Sequence, residues 1–567
     1  MRSGRLLALS AFTVLGLLAP RAARATNVTE FPDNGSEQMG RGGAWIARAS
    51  DPLATIFNPA GLAGQPTRLT IQSNFIFEHT CFTRQKSAFD TTNDPLAGPT
   101  GAYPRACNDI APTLNPQIGA TIKLSERLGL GLLVIGPSSG GEKTFPDFVK
   151  DGNGQDQAAP NRYMLVETKG IVLYPTVGIG YEVVDNLRIG ASFSWGFARL
   201  NLTSASASLN ADATTPAGND TRASLQVRDY FIPSLTGGAI WSATPNIDIA
   251  GWYKWTDAIR ATGDADTAAN YYTKQNAAGD DKNVRYGSTT FDDCGTGTDV
   301  AMRTKPCGSG NNAKITFAVP MEAKLGFRYH QPRNLPPRPD QATATPEQQA
   351  EYKEALRAIQ KNRDPLATDV FDVEANLTWA NNSTIDSIQI RFPGDPSGKG
   401  TLPVAGVAGG ELPPNADQKR EYRDVFGLRI GGDYNVMPDK LAVRAGAFVE
   451  SAAGQAQYQN IDFGAAARFG FALGGTYRLR FGEGDKTSAL EFMLGYGHVF
   501  FADQSRTDPN ASGSPALAGT SCNKSDAIAG TQQCQDGSTR YRTKWPVNLG
   551  TITNSINVIN AGVAYRF

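Results

Sequence analysis

Leu187-Arg188-Ile189-Gly190-Ala191-Ser192-Phe193-Ser194-Trp195-Gly196-Phe197-Ala198-Arg199 alternates with a period of two. Leu187, Ile189, Ala191, Phe193, Trp195 and Phe197 share one face, and small or charged residues share the other. Successive side chains of a strand point to opposite faces, so this is a strand with one apolar side. The pattern recurs. Ile315 to Tyr329 places Ile315, Phe317, Val319, Met321, Ala323, Leu325, Phe327 and Tyr329 on one face, with Thr316, Glu322, Lys324, Gly326 and Arg328 on the other. Phe469, Phe471, Leu473, Tyr477 and Leu479 oppose Arg468, Gly470, Gly474, Arg478 and Arg480. Runs of ten residues or more exceed the ~5–6 of an ordinary strand and suit one that crosses a bilayer at a tilt. The apolar face is then expected to meet lipid and the polar face to line a lumen.

About fourteen such runs follow one another: 67–79, 114–124, 127–137, 171–184, 187–200, 226–243, 247–260, 313–329, 369–392, 421–436, 441–450, 463–481, 487–501 and 555–567. Short turns, such as Ser125-Glu126 and Asp185-Asn186, alternate with long loops, and outer-membrane barrels have short periplasmic turns and long external loops. The expected fold is therefore all-β, a transmembrane antiparallel β-barrel spanning 67–567. Tyr329, Trp379, Tyr434, Tyr477 and Tyr565 fall near strand ends, where aromatic girdles belong. The segment 330–368 breaks the parity, being long where a turn should be short; Pro346 to Arg357 reads as a short helix in a periplasmic insertion.

Composition agrees. The 567 residues carry 54 Lys+Arg against 54 Asp+Glu, which gives no electrostatic footprint for nucleic acid. The one long apolar stretch, Leu6 to Ala19, follows Arg2 and Arg5 and precedes Ala23-Arg24-Ala25, so residues 1–25 read as a signal peptide. Its four arginines take the net charge from 0 to −4 on removal. Six cysteines fit an oxidising compartment, and proximity favours Cys81 with Cys107, Cys294 with Cys307 and Cys522 with Cys534, all in external loops. His79, His330 and His498 do not cluster with cysteines, so no metal and no cofactor is expected. Gly136 to Thr144 mimics a phosphate-binding loop but has one residue too many before Lys143. No ordered catalytic triad is present, and an enzyme is not expected.

Residues 26–66 do not alternate. They hold Gly40-Arg41-Gly42, then Asp51 and Asn58-Pro59-Ala60-Gly61-Leu62. Here the chain resembles the FadL/TodX-type outer-membrane transport family of long-chain fatty-acid and hydrocarbon transporters. The resemblance implies that 26–66 is a hatch inside the barrel, with Asn58, Pro59 and Ala60 hydrogen-bonded to the wall. It also implies passive, hatch-gated passage of hydrophobic molecules and a lateral exit near a kinked third strand, for which Gly129, Gly131 and Gly136 are the candidates. The terminal alternation into Phe567 resembles the insertion signal read by the barrel-assembly machinery. Lys324, Arg429, Arg444 and Arg468 are candidates to hold a carboxylate in the lumen, with cross-strand ion pairing as their other use. The expected partners are outer-membrane lipid and a hydrophobic small molecule, with the chain a monomer. A general porin for polar solutes and a structural or adhesive surface protein are the alternatives.

Overall fold

The computed structural model describes residues 33–88, 103–109, 112–137, 142–154, 156–206, 220–268, 272, 313–340, 344–361, 363–391, 402–403, 411–412, 415–482, 488–508, 520–521, 527–533, 539–543 and 547–567. Residues 1–25, Cys294, Cys307, Cys522 and Cys534 lie outside them.

Fourteen antiparallel strands form one closed barrel. They are β1 (Arg68–Arg84), β2 (Thr113–Lys123), β3 (Leu128–Ile135), β4 (Glu167–Val184), β5 (Leu187–Ser206), β6 (Thr221–Thr244), β7 (Ile247–Thr256 and Ile259–Ala268) and β8 (Ala313–Phe317 and Glu322–Pro332). Then come β9 (Asp369–Ala380 and Ser387–Arg391), β10 (Asn415–Lys419 and Val425–Met437), β11 (Leu441–Glu450), β12 (Arg468–Phe481), β13 (Ser488–Phe501) and β14 (Gly550–Arg566). Each pairs with its neighbour, and β1 pairs with β14 from Arg68↔Arg566 to Arg84↔Gly550, which closes the ring. Closure leaves no unpaired edge for lipid to meet.

The alternation sorts as the sequence requires. On β5, Ile189, Phe193 and Trp195 are exposed on the outer surface, while Arg188, Ser192 and Ser194 are buried. Tyr329, Tyr434, Tyr477 and Tyr565 are also exposed, near the end of the barrel where both β1 and β14 have their terminal residues.

The run Ile315 to Tyr329 departs from expectation. It is not one lipid-facing strand. Ala318 to Met321 interrupts it, and Pro320 there has no N–H for the ladder. The break flips the side-chain parity. Ile315 is fully buried, whereas Leu325 and Phe327 face outward at 65% and 49% exposure. Neighbouring strands carry irregularities at matching heights: a bulge in β6 between Asp229 and Ile232, and gaps at Asp257-Ala258 in β7, Asn381–Asp386 in β9 and Arg420–Asp424 in β10. Below this belt the inward residues are polar (Lys324, Arg328, Asp372, Glu374); above it they are aliphatic (Ile259, Ile315, Ile388, Ile390).

β1 runs beyond its expected end at residue 79, so Cys81 lies in the strand rather than in a loop. It is disulfide-bonded to Cys107, its ladder partner on a two-residue strand, and contrary to expectation His79 sits with these cysteines, its Nε2 3.2 Å from Cys81 Sγ, because residues 79 and 81 share one strand. Closing a 26-residue separation stabilises by about 2–4 kcal/mol.

Candidate functional site

The buried segment 33–66 lies inside the ring. Its first helix, α1 (Ser36–Gly40), touches β11 to β14, and its 3-10 turn (Pro59–Leu62) touches β3 to β6 across the lumen. Small wall residues make this approach possible. A Cβ at Gly190 or Gly180 would collide with the Pro59 backbone, and one at Gly431 or Gly446 with the Arg41 backbone. Gly42 and Gly43 have φ of +62° and +80°, a left-handed bend that glycine tolerates without strain, and it turns the chain directly against β11.

The strongest ties between this segment and the wall are ionic. Arg41 is fully buried; its Nη1 lies 2.5 Å from Asp372 Oδ1 and 2.8 Å from Asp433 Oδ1, and its Nη2 lies 3.5 Å from Glu374. Arg48 takes the other oxygens of the same two aspartates at 2.7 and 3.1 Å. Glu374 accepts from the Ala47 and Arg48 backbone N–H groups at 2.9 and 3.2 Å, and Asn376 accepts from the Trp45 N–H at 3.1 Å. The sequence marks Arg41 and the Asp372/Glu374 alternation, but nothing local joins residues 331 apart.

Asn58 differs from its implied part. It is fully buried, but its amide donates to the Ile46 carbonyl at 2.8 Å and its oxygen accepts from the Ala60 N–H at 3.2 Å. Both bonds stay within the segment. The nearest wall bond is donated by the Trp252 indole to the Ile56 carbonyl at 2.9 Å. Pro59 and Ala60 contribute by close packing on the glycines of β4 and β5.

The four lumenal cations are all engaged. Arg429 pairs with Asp33 and with Glu450 at 2.6 Å, Arg468 with Glu450 at 2.6 Å, and Arg444 with Asp433 at 3.3 Å. The Lys324 ammonium sits over the Trp252 ring at 4.7 Å. Gly129 and Gly131 lie in an unbroken ladder from Leu128 to Ile135, where they make room for Leu62 and Thr55. Gly136 is different. The ladder between β3 and β4 stops at Ile135↔Tyr174 and the next pairing is Lys143↔Thr168. The Gly136 carbonyl instead accepts from the side-chain amides of Asn34 and Asn115 at 3.1 and 3.4 Å.

Beside this gap, above the buried segment, is an apolar cavity of about 1250 Å³ including its open mouth. Leu200, Leu225, Ile259, Ile315, Phe317 and Ile390 form much of its wall. Pro137, Lys143, Gly170 and Val172, which flank the ladder gap, also line it. Lys143 is the cation on the rim, paired with Glu78 at 2.7 Å and donating to the Asp462 carbonyl at 3.1 Å.

Solved structures match this arrangement along nearly its whole length. The crystal structure of a Pseudomonas aeruginosa FadL homologue superposes with a TM-score of 0.60 at 16% identity, covering 95% of this chain and 99% of that one. This is the FadL-type fold. The Ralstonia pickettii toluene transporter TbuX shares it at a TM-score of 0.50 and 15% identity, covering 95% and 99%. No protein-family model and no curated protein sequence matches the chain. The FadL-type fold is that of an outer-membrane barrel, in keeping with the outward apolar band.

Asp51 gives the segment a pH response. Burial, and then the charge of Glu37, push its carboxyl up from 3.8 to about 7, against the opposing pull of Arg68 and Arg444. A raised carboxyl stabilises the folded state below its unfolded value, and that contribution is lost as pH rises through the folded one. Hydrogen exchange within residues 33–66, corrected for intrinsic rates, should therefore quicken between pH 5.5 and 8.5. Asp51→Asn should flatten the dependence; an unchanged slope would remove Asp51 as its source.

Proposed function

We propose that the chain carries hydrophobic molecules passively across the bacterial outer membrane, with long-chain fatty acids or hydrocarbons as substrates and residues 33–66 as the hatch. The observation that carries this reading is the apolar cavity set against the gap between Ile135 and Lys143. An aliphatic pocket above a polar, ion-paired plug suits a ligand that leaves water by hydrophobic burial. Rings of charge below it do not continue the apolar path, so sideways departure into lipid through the gap is the less costly route. Gly136, whose carbonyl is held by Asn34, links the gap to the hatch.

The test is uptake of labelled palmitate and labelled dodecane by cells displaying the protein, with planar-bilayer conductance beside it. Uptake above an empty-vector strain with no steady ion conductance is expected. Steady conductance with no hydrophobic uptake would favour a general porin and sink this reading.

A further inference from the structure

Arg188 is the second residue of β5, just after the Asp185-Asn186 turn, and is 6% exposed. It lines a second cavity, of about 540 Å³ with its open side, between the buried segment, the wall and the end of the 330–368 insertion. That insertion carries an exposed helix, α2 (Pro346–Lys361), and then turns back toward the barrel. Among the described residues Arg188 makes no side-chain hydrogen bond and no ion pair.

The reason lies one strand away. Glu182 is the ladder partner of Arg188 and the natural counter-charge. Arg363 of the insertion takes it instead, at 2.9 Å, and also donates to the Ala63 carbonyl at 3.3 Å. The acids that line the cavity are engaged elsewhere. Asp248 meets Arg328 at 3.0 Å and the Ser242 hydroxyl at 2.6 Å, while Asp369 meets Arg328 at 2.6 Å and His330 at 3.3 Å. Arg48, Arg188, Arg328, Arg363 and His330 thus face the cavity against Asp248 and Asp369. A nine-tenths buried guanidinium that feels Asp248 and Glu182 only at a distance, with no anion in ion-pair contact, is costly, and its fork of donors matches a carboxylate.

We propose that this cavity is an anion site, in which Arg188, with Arg363 opposite, holds the carboxylate of an amphiphile that reaches it from the end of the barrel where the short turns lie. The proposal rests on the transport reading above for the source of its ligand. It also gives the insertion a purpose: by occupying Glu182, Arg363 keeps Arg188 free for the ligand.

Isothermal titration of the full chain in neutral-lipid nanodiscs, with protein-free discs subtracted, separates the possibilities. The probes are octanoate, octanol and acetate. A charge-assisted bond lost from a buried site lowers affinity about tenfold or more. Arg188→Gln should therefore weaken octanoate by that factor and leave octanol unchanged, with Arg188→Lys recovering part of the loss. Arg363→Gln should also weaken octanoate, because Glu182 is then released to Arg188. Acetate binding as tightly as octanoate, and lost in Arg188→Gln, would keep the anion site but make a free small anion its ligand. If octanoate and octanol both fail to bind while acetate binds through Arg188, the transport reading falls and the anion site stands. Octanoate affinity unchanged in Arg188→Gln, or octanoate and octanol weakened equally, would overturn the proposal and leave the transport reading intact. Wild-type protein that binds neither octanoate nor acetate would also overturn it.

Discussion

Arg41→Gln is expected to open the barrel to polar solutes without dismantling its wall. Asp372 and Asp433 bury their side chains to 0% and 1% exposure, and Arg41 bridges them. Removing one partner of a buried pair leaves an uncompensated charge, at a cost of about 3–5 kcal/mol. The fourteen strand pairings do not involve Arg41, so the cost falls on the seating of residues 33–66. Arg48 grips the same two aspartates from the other side, so the two arginines act as a unit and Arg48→Gln should add less than its own single effect. The measurement is entry of a hydrophilic antibiotic into cells with matched amounts of heat-modifiable, folded barrel. Adding Asp433→Asn to Arg41→Gln removes one negative charge for the one positive charge lost, leaves Asp372 to Arg48, and should recover part of the seal. A variant barrel that folds and admits no more antibiotic than wild type would show that this segment does not gate the lumen.

The second large effect is expected at Ile315. Its side chain is fully buried on the cavity wall, above the belt of strand breaks. Ile315→Asp would place a polar group where apolar atoms surround it, at about 2–7 kcal/mol unless water enters with it. Either outcome removes the apolar surface that a hydrophobic ligand would cover. Affinity changes tenfold for each ~1.4 kcal/mol, so dodecane uptake should fall by at least about tenfold. Ile315→Val, which removes a single methyl group, should change it little. Full uptake by a folded Ile315→Asp barrel would place the path elsewhere.

These two sites mark different limits of sequence reading. The charges around Arg41 were visible as inward-facing residues, because every second position of β9 is polar: Asp372, Glu374, Asn376 and Thr378. Which cation each would meet was not visible. Asn58 drew attention for its amide, yet its partners, Ile46 and Ala60, belong to its own segment. The cavity wall was misread for a plain reason. Ile315 and Leu325 are ten residues apart, so their parity in sequence is the same, and only the interruption at Ala318 to Met321 sends one inward and the other to lipid. A period-two pattern carries no mark of a break that shifts the phase.

The 330–368 insertion shows the same division. Its helix was legible from Pro346 and the polar run after it, and forms as Pro346–Lys361. Its tail was not. Arg363 reaches Glu182, and Asp364 meets Arg478 at 2.7 Å and Arg566 at 2.6 Å, on strands far from one another in the chain.

The sequence by itself determined the barrel, its fourteen strands, its lipid face below the belt of strand breaks and the end at which short turns lie. Those properties follow from side-chain alternation and loop length, which are local along the chain. Only the tertiary structure decided which charges meet, where the apolar cavity opens, and why Arg188 lacks its carboxylate. Ring closure brings β4, β9 and residues 33–66 and 363–369 together, and ion pairing then depends on distances of a few ångströms that no spacing in the chain encodes.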